Sequence, residues 1–332
     1  MKEFSDCLFV ASLEQLRNQN ITTQGYRFAK SSRKNVVSHL RTWFFFCTFF
    51  GFVILSAGEE SLCLFAELLS ITCGYQHIKS VLGSVKYLHT ARGYKYPADS
   101  FNLECTLQGL KRRLARTPNQ VLPIDPSILR LLYKHINPNK PEDLSLWCSF
   151  LVAFYCLFRK ANVVPESSKF DPSCILTRSD ISVDAEGNKI LVFVGFSKTN
   201  HFLKRSHTIP IPANDDEAMD LFRHLKKLYR ICPAGPDAPA FTFGRGKFVT
   251  YKSFTTRLKT LLRKAGKNPD WYSGHSFRRG GASYLHSVGG NTLLVQTLGD
   301  WASQVFIRYL HLSTNDRYRA QLLMATAINS TA

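Results

Sequence analysis

Between about Thr22 and Arg116, apolar residues recur at spacings of three and four. Ile78, Val81, Leu82, Val85 and Leu88 form the clearest run, sharing one face of a helix. The pattern predicts helices through Lys30 to the Phe-rich segment Trp43–Ala57, then Glu59–Cys73, Gln76–Gly93 and Leu103–Arg116, with no strand in this half. It breaks at RTPNQVLPIDP (Arg116–Pro126), where prolines replace helical periodicity. Two further helices are predicted at Pro126–Asn137 and Pro141–Phe158. A β-branched stretch follows, reading as three short strands, Ile181–Val183, Ile190–Phe196 and His207–Ile211, with turns at Glu186-Gly187-Asn188 and near Thr199-Asn200. Helices resume at Asp216–Tyr229, Ser253–Ala265, Ser276–Val288, Thr292–Leu298 and Val305–Leu310. An amphipathic C-terminal helix is expected at Asp316–Ile328.

The expected fold is therefore mainly α with a small antiparallel β-sheet (α+β), in two domains. Residues 1–21 form an N-terminal extension, 22–116 a helical domain, 117–126 a linker, and 127–332 a second domain ending in the C-terminal helix. Trp43–Ala57 carries no charge but falls short of the roughly 20 apolar residues a bilayer span needs. It is expected as a buried core helix, and no membrane partner is expected.

Composition narrows the partner. Of 332 residues, 43 are Lys or Arg and 24 Asp or Glu, a formal charge of +19 spread along the chain. That balance favours a polyanion, nucleic acid ahead of a membrane surface. Lys30, Arg33, Lys34, Lys79 and Lys86 lie on polar positions of the N-terminal helices and are candidate phosphate contacts. Lys111, Arg112 and Arg113 form a further cluster suited to phosphate binding or nuclear import. The nine cysteines include no CxxC, and the ten histidines form neither HxxxH nor HExxH, so no structural zinc site and no cofactor is expected. Met1–Leu16 has carboxylates and no continuous apolar core, which argues against a secretory signal and for reduced, intracellular thiols.

The most informative stretch runs from Gly274 to Leu310. His275 and Arg278 stand three apart at a helix start, on one face, and Trp301 and then Tyr309 follow on short downstream elements. Upstream, Arg159 ends the apolar helix in SFLVAFYCLFRKANVVP, and Lys198 lies in the hairpin VFVGFSKTNHF. The ordered set of an arginine, a hairpin lysine, an HxxR pair, a tryptophan and a tyrosine resembles the catalytic residues of the tyrosine recombinases. The resemblance covers roughly residues 22–330. FRKANVVP, HSFRRGGAS and GDWxSxxxxRYL are most similar to recombinases of eukaryotic mobile elements of the Crypton and DIRS type. It implies a core-binding domain over 22–116, a catalytic domain over 127–332, double-stranded DNA as partner, and a tetramer on DNA with the C-terminal helix docking on a neighbour. Nuclear localisation follows from the substrate and the eukaryotic-type resemblance.

The chemistry suits these residue types. Attack of a tyrosyl oxygen on a phosphodiester passes through a pentavalent state whose extra charge needs fixed donors. Arg159 and Arg278 can each supply paired donors, which a lysine cannot copy. His275 can donate a hydrogen bond or relay a proton, and Trp301 can pack the site and offer its indole N–H. Lys198, with Lys204 as rival, would protonate the departing 5′ oxygen. Tyr309 is the expected nucleophile, with Tyr318 as fallback. Keeping a phenol of pKa about 10 ionised at neutral pH costs about 4 kcal/mol, which a cationic pocket lowers.

The interval from Trp301 to Tyr309 is one residue shorter than in many bacterial and phage members. Arg279 lies on a different helix face from Arg278 and is read as a DNA or packing residue. Gly280 and Gly281 weaken a helix by about 1 kcal/mol each, so close packing is the expected compensation. Two alternatives stay open: a noncatalytic DNA-binding protein, and a type IB topoisomerase acting as a monomer.

Overall fold

The computed structural model describes residues 13–25, 27, 30–97, 100–115, 121–168, 170–172, 175–184, 186–195, 207–301, 307, 310 and 321. The chain divides into two compact units, Met1–Asn119 and Gln120–Ala332.

Every element among the described residues of the first unit is a helix: α1 (Leu13–Gly25), α2 (Lys30–Phe50), α3 (Glu59–Ser70), α4 (Tyr75–Ala91) and α5 (Phe101–Arg113). Helix α1 starts within the stretch expected as an extension; its weak apolar periodicity hid it. The predicted face of α4 is buried at Ile78, Val81, Leu82 and Val85, against Trp43, Phe46, Leu62 and Phe65. Buried polar groups are paired, as burial requires. The Trp43 indole donates to the Ile54 carbonyl at 3.0 Å, and His39 Nδ1 meets Ser84 Oγ at 2.9 Å. Buried His89 accepts from the Ala57 amide at 3.1 Å, so its Nδ1 is the nitrogen that donates to Val85 O. Gly51 follows α2 with φ +74°, a conformation that favours glycine and turns the chain out of the helix.

One expectation fails in part. The Phe-rich segment is not a buried helix along its whole surface. Trp43, Phe46 and Cys47 face the core, whereas Phe44, Phe45, Phe49, Phe50, Val53 and Ile54 are exposed. A run apolar on every side cannot reveal which side meets the core. No helix among the described residues is long and apolar enough to cross a membrane.

The second unit opens with α6 (Pro126–Tyr133), capped by Asp125, whose carboxylate accepts from the Ile128 amide at 2.9 Å. Helix α7 (Pro141–Tyr155) is buried at every position from Leu144 to Phe154, the mark of a central core helix. After the short α8 (Lys160–Val163) come β1 (Ile181–Asp184), β2 (Lys189–Val194) and β3 (His207–Pro212), an antiparallel sheet in that order. Its register pairs Ile181 with Val192 and Val192 with Ile209, so one face of the sheet enters the core. The remainder comprises α9 (Leu221–Ile231), a β4–β5 hairpin (Thr242–Gly244, Lys247–Phe248), α10 (Tyr251–Lys264), α11 (His275–Ser287) and α12 (Thr292–Leu298). The hairpin went unread in the sequence, being too short for an alternation signal. Apart from Ile307, Leu310 and Gln321, the helices expected at Val305–Leu310 and Asp316–Ile328 lie outside the described residues, as does most of the hairpin beyond Val194.

The stretch read as linker is partly structural. Leu122 N donates to Trp271 O at 2.7 Å and Ile124 N to Ser276 O at 3.0 Å, with the Ile124 side chain fully buried. This extended backbone is thereby held against the start of α11.

Candidate active site

Helix α7 ends in a sharp turn. Leu157 takes a left-handed backbone (φ +52°), unusual for a residue with a branched side chain, and turns its carbonyl toward α11. Arg159 follows as the N-cap of α8, half-buried, its carbonyl accepting from the Asn162 amide at 2.8 Å.

Arg278 lies in the first turns of α11 and is only 2% exposed. Its Nη1 donates to the Leu157 carbonyl, and its Nη2 donates to the Gly299 carbonyl at 2.7 Å. The guanidinium carbon sits 3.8 Å from the ring centroid of Trp301. One side chain therefore joins the end of α7, the start of α11 and the turn after α12. Burying a charge is tolerable when polar groups and a π face surround it.

The turn after α12 is built to hold Trp301. Asp300 is left-handed (φ +49°), the Trp301 amide donates to Gln296 O at 3.1 Å, and Gln296 Nε2 donates back to Trp301 O at 3.0 Å. A Cβ on Gly299 would collide with the Trp301 ring. Trp301 closes a small cluster with Leu157, Ala282 and Val295, against which Leu310 also packs.

His275 is exposed and is the first residue of α11. Its amide donates to Ser273 Oγ at 3.1 Å, and Ser276 Oγ accepts from the Ser273 amide at 3.0 Å. His275 thus stands at the positive end of the helix dipole, an arrangement suited to an anion. A second contact aligns the two segments. A Cβ on Gly274 would run into the side chain of Lys160, whose ammonium lies 3.4 Å from the Tyr251 ring centroid. With Leu157 bonded to Arg278 and Lys160 against Gly274, Arg159 lies on the strip of chain facing His275–Arg278.

The paired glycines of α11 have a steric role. A Cβ on Gly280 would strike the Ile124 carbonyl oxygen, and one on Gly281 the Phe154 carbonyl oxygen and the Leu157 side chain. They let α11 approach two backbones at once, the close packing expected of them.

Of the two roles read for Arg279, DNA contact or packing, its surroundings fit packing. It is buried, its Nη1 donates to Val121 O at 3.2 Å, and burial lowers its pKa. The other basic candidates are mostly at the surface: Arg33, Lys34, Lys79, Lys86, Lys111 and Arg112 are exposed. Arg113 is engaged by Glu67 at 2.6 Å and Ser70 at 2.7 Å. The Lys30 side chain, Lys198, Lys204, Tyr309 and Tyr318 lie outside the described residues.

A cradle of this kind does not by itself mark a catalytic arginine. Arg178 is also buried, donating to Cys232 O at 3.1 Å and Thr242 O at 3.0 Å, with its guanidinium carbon 3.9 Å from the Tyr229 ring centroid. Arg178 ties α9 to β4. What sets Arg278 apart is the exposed histidine at the helix start one turn before it, and Arg159 on the adjoining strip. Sequence reading missed Leu157, Lys160 and Gly299, which serve the site through backbone or packing, and Gln296, which holds Trp301 through both its carbonyl and its side-chain amide; of these, only Gly299 left a residue-type signal.

No family model matches the sequence, and no curated protein does. Solved structures do. A Tn1549 transposon integrase (residues 82–397), in complex with circular intermediate DNA, aligns with a TM-score of 0.52 at 15% identity, over 81% of this chain and 86% of that one. The Y379F form of that integrase with transposon right end DNA aligns with a TM-score of 0.52 at 14% identity, over 80% and 84%. A lambda integrase dimer bound to a COC′ core site aligns with a TM-score of 0.54 at 15% identity, over 92% and 78%. The mostly helical chain with its small antiparallel sheet therefore has the integrase-like fold.

Proposed function

We propose that the chain is a site-specific DNA recombinase or transposase that breaks and rejoins DNA through a covalent 3′-phosphotyrosyl intermediate. The observation that carries this reading is the buried Arg278, held by the carbonyls of Leu157 and Gly299 and the ring of Trp301, one helical turn from the exposed His275 at the start of α11. The integrase-like fold supports it. The motifs FRKANVVP, HSFRRGGAS and GDWxSxxxxRYL support the finer assignment to the mobile-element type, with action in the nucleus.

Tyr309 attacks the scissile phosphorus and releases the 5′ oxygen, which takes a proton from Lys198, or from Lys204 if that lysine holds the role. Arg159 and Arg278 stabilise the charge gathering on the nonbridging oxygens. A guanidinium has five N–H donors, of which the two carbonyls engage two, so anchoring and phosphate recognition are compatible in one side chain. Fixing it beforehand removes the reorganisation a flexible cation would need. His275, on the helix end, hydrogen bonds the same phosphate or relays the tyrosyl proton. The phosphotyrosyl bond keeps the energy of the bond broken, so a second DNA hydroxyl reverses the attack without ATP or metal.

Exposed Arg33, Lys34, Lys79, Lys86, Lys111 and Arg112, with Lys30, grip phosphates along the duplex. Four strands are cut in a complete exchange, so the active assembly is a tetramer on DNA.

The test is to incubate wild type and Tyr309→Phe with nicked and intact duplex pools, quench in denaturant, and map any covalent protein–DNA adduct by peptide mass. An adduct at Tyr309 that the Phe variant lacks is expected. An adduct at Tyr318 overturns the nucleophile assignment. Tight binding with no adduct favours a noncatalytic DNA-binding protein. Relaxation of supercoils by a monomer, without site preference, favours a topoisomerase.

A further inference from the structure

The N-terminal unit carries an apolar surface that its own core does not use. Along α2 the rings of Phe45 and Phe49 stack at 6.0 Å, and Phe49 meets Phe50 at 4.9 Å. Phe50 in turn contacts Phe46 at 5.1 Å, which joins the ladder to the core. Phe45 and Phe49 are each 70% exposed and Ile71 is 76% exposed, with Phe44, Val53, Leu64 and Leu68 also at the surface. At ~200 Å² for a fully exposed aromatic, the patch offers roughly 900 Å² of apolar area. That exceeds what a monomer ordinarily leaves in contact with water.

We propose that this face is a self-association surface, covered by the same face of a second copy of the chain. Three observations select that occupant. The area is close to the ~800 Å² that each partner buries in a standard interface. The face also carries both halves of a fit. Beside the projecting Phe45 and Phe49 rings is an open groove of about 460 Å³, lined by Phe46, Phe50, Phe52, Leu64, Leu68 and Ile71, with Ser70 and the Glu67–Arg113 ion pair also on its wall. A two-fold pairing places one copy's rings in the other's groove and repeats the contact, as isologous interfaces do. Finally, the charges around the face argue against a lipid surface. No charged residue lies between Trp43 and Ala57, Glu59, Glu60 and Glu67 follow on α3, and Arg113, which lines the groove, is paired with Glu67, whereas a membrane-surface helix would carry lysine and arginine in excess of acids.

The inference is independent of the recombinase reading, because it needs neither DNA nor Tyr309. It also predicts an opposite response to salt. Two copies of a chain with formal charge +19 repel, so salt screens the repulsion and strengthens an apolar pairing, whereas salt weakens any association bridged by DNA.

The experiment is sedimentation equilibrium of the full chain, free of nucleic acid, from sub-micromolar to high-micromolar protein at low and high salt. Wild type should rise from 37.7 kDa toward twice that mass, at lower concentration in high salt. Phe45→Ser/Phe49→Ser on the projecting side and Ile71→Ser on the groove side should each weaken association at least tenfold; these exposed positions leave the core untouched. Wild type monomeric throughout, or variants that associate like wild type, would overturn the proposal. So would wild type that stays monomeric yet cosediments with phosphatidylcholine–phosphatidylserine vesicles through the same side chains.

Discussion

The Arg278 guanidinium lies over the Trp301 ring, 3.8 Å from its centroid, and donates to the carbonyl of Gly299 two residues before that tryptophan. Arginine and tryptophan thus share one turn as a support.

Arg278→Lys is expected to abolish adduct formation while leaving duplex binding largely intact, because an ammonium cannot span both carbonyls and cover the ring. Band-shift and denaturing gels run on one sample separate the two effects. Equal loss of binding and adduct would mean that Arg278 only supports the fold.

Gly299→Ala should expel the Trp301 ring from its seat, since the added methyl occupies its position. Adduct yield should fall with Trp301→Ala and Gly299→Ala alike, and the double variant should be no worse than either single one. Additive losses would break the proposed coupling.

Glycine substitutions should divide by location. Gly280→Ala meets the Ile124 carbonyl and is expected to destabilise the second unit by about 3 kcal/mol. Gly83→Ala on α4 and Gly109→Ala on α5 meet nothing within 4 Å and should stabilise by about 1 kcal/mol each. Urea unfolding of the three variants measures both signs.

Two histidines should make the fold acid-sensitive. Burial lowers the pKa of His39, with His77 adding to the effect, and burial also lowers that of His224. Each unfolded imidazole titrates near 6.5, above its folded value, so the unfolded chain binds more protons in the interval between. Stability from these groups is complete above pH ~6.5 and is lost as pH falls through their folded pKa values. His39→Gln and His224→Gln should each flatten a plot of melting temperature against pH in that range.

DNA affinity should fall steeply with salt. With about 8 phosphate contacts, log K against log salt should slope near −7. Removing Lys79 and Lys86 together should reduce that slope by nearly two, whereas Arg279→Ala should change stability and leave the slope alone. A flat dependence would rule out the proposed phosphate contacts along the duplex.

The order of the candidate residues was already legible in the chain: Arg159 at the end of an apolar helix, His275 and Arg278 one turn apart, Trp301 after them. So were most helices and the three-stranded sheet, since local periodicity records which face of each element is buried. Tertiary structure decided what periodicity cannot encode. Arg278 and Arg279 are adjacent arginines on one helix, yet one is anchored over Trp301 by the Leu157 and Gly299 carbonyls and the other is tied to Val121. Their partners are backbone carbonyls, which every residue possesses, so no residue type announces them. The Phe-rich helix poses the same limit in another form. Apolar on all sides, it has no periodic contrast, and only its packing against α3 and α4 decided that Trp43 and Phe46 turn inward while Phe45 and Phe49 face solvent.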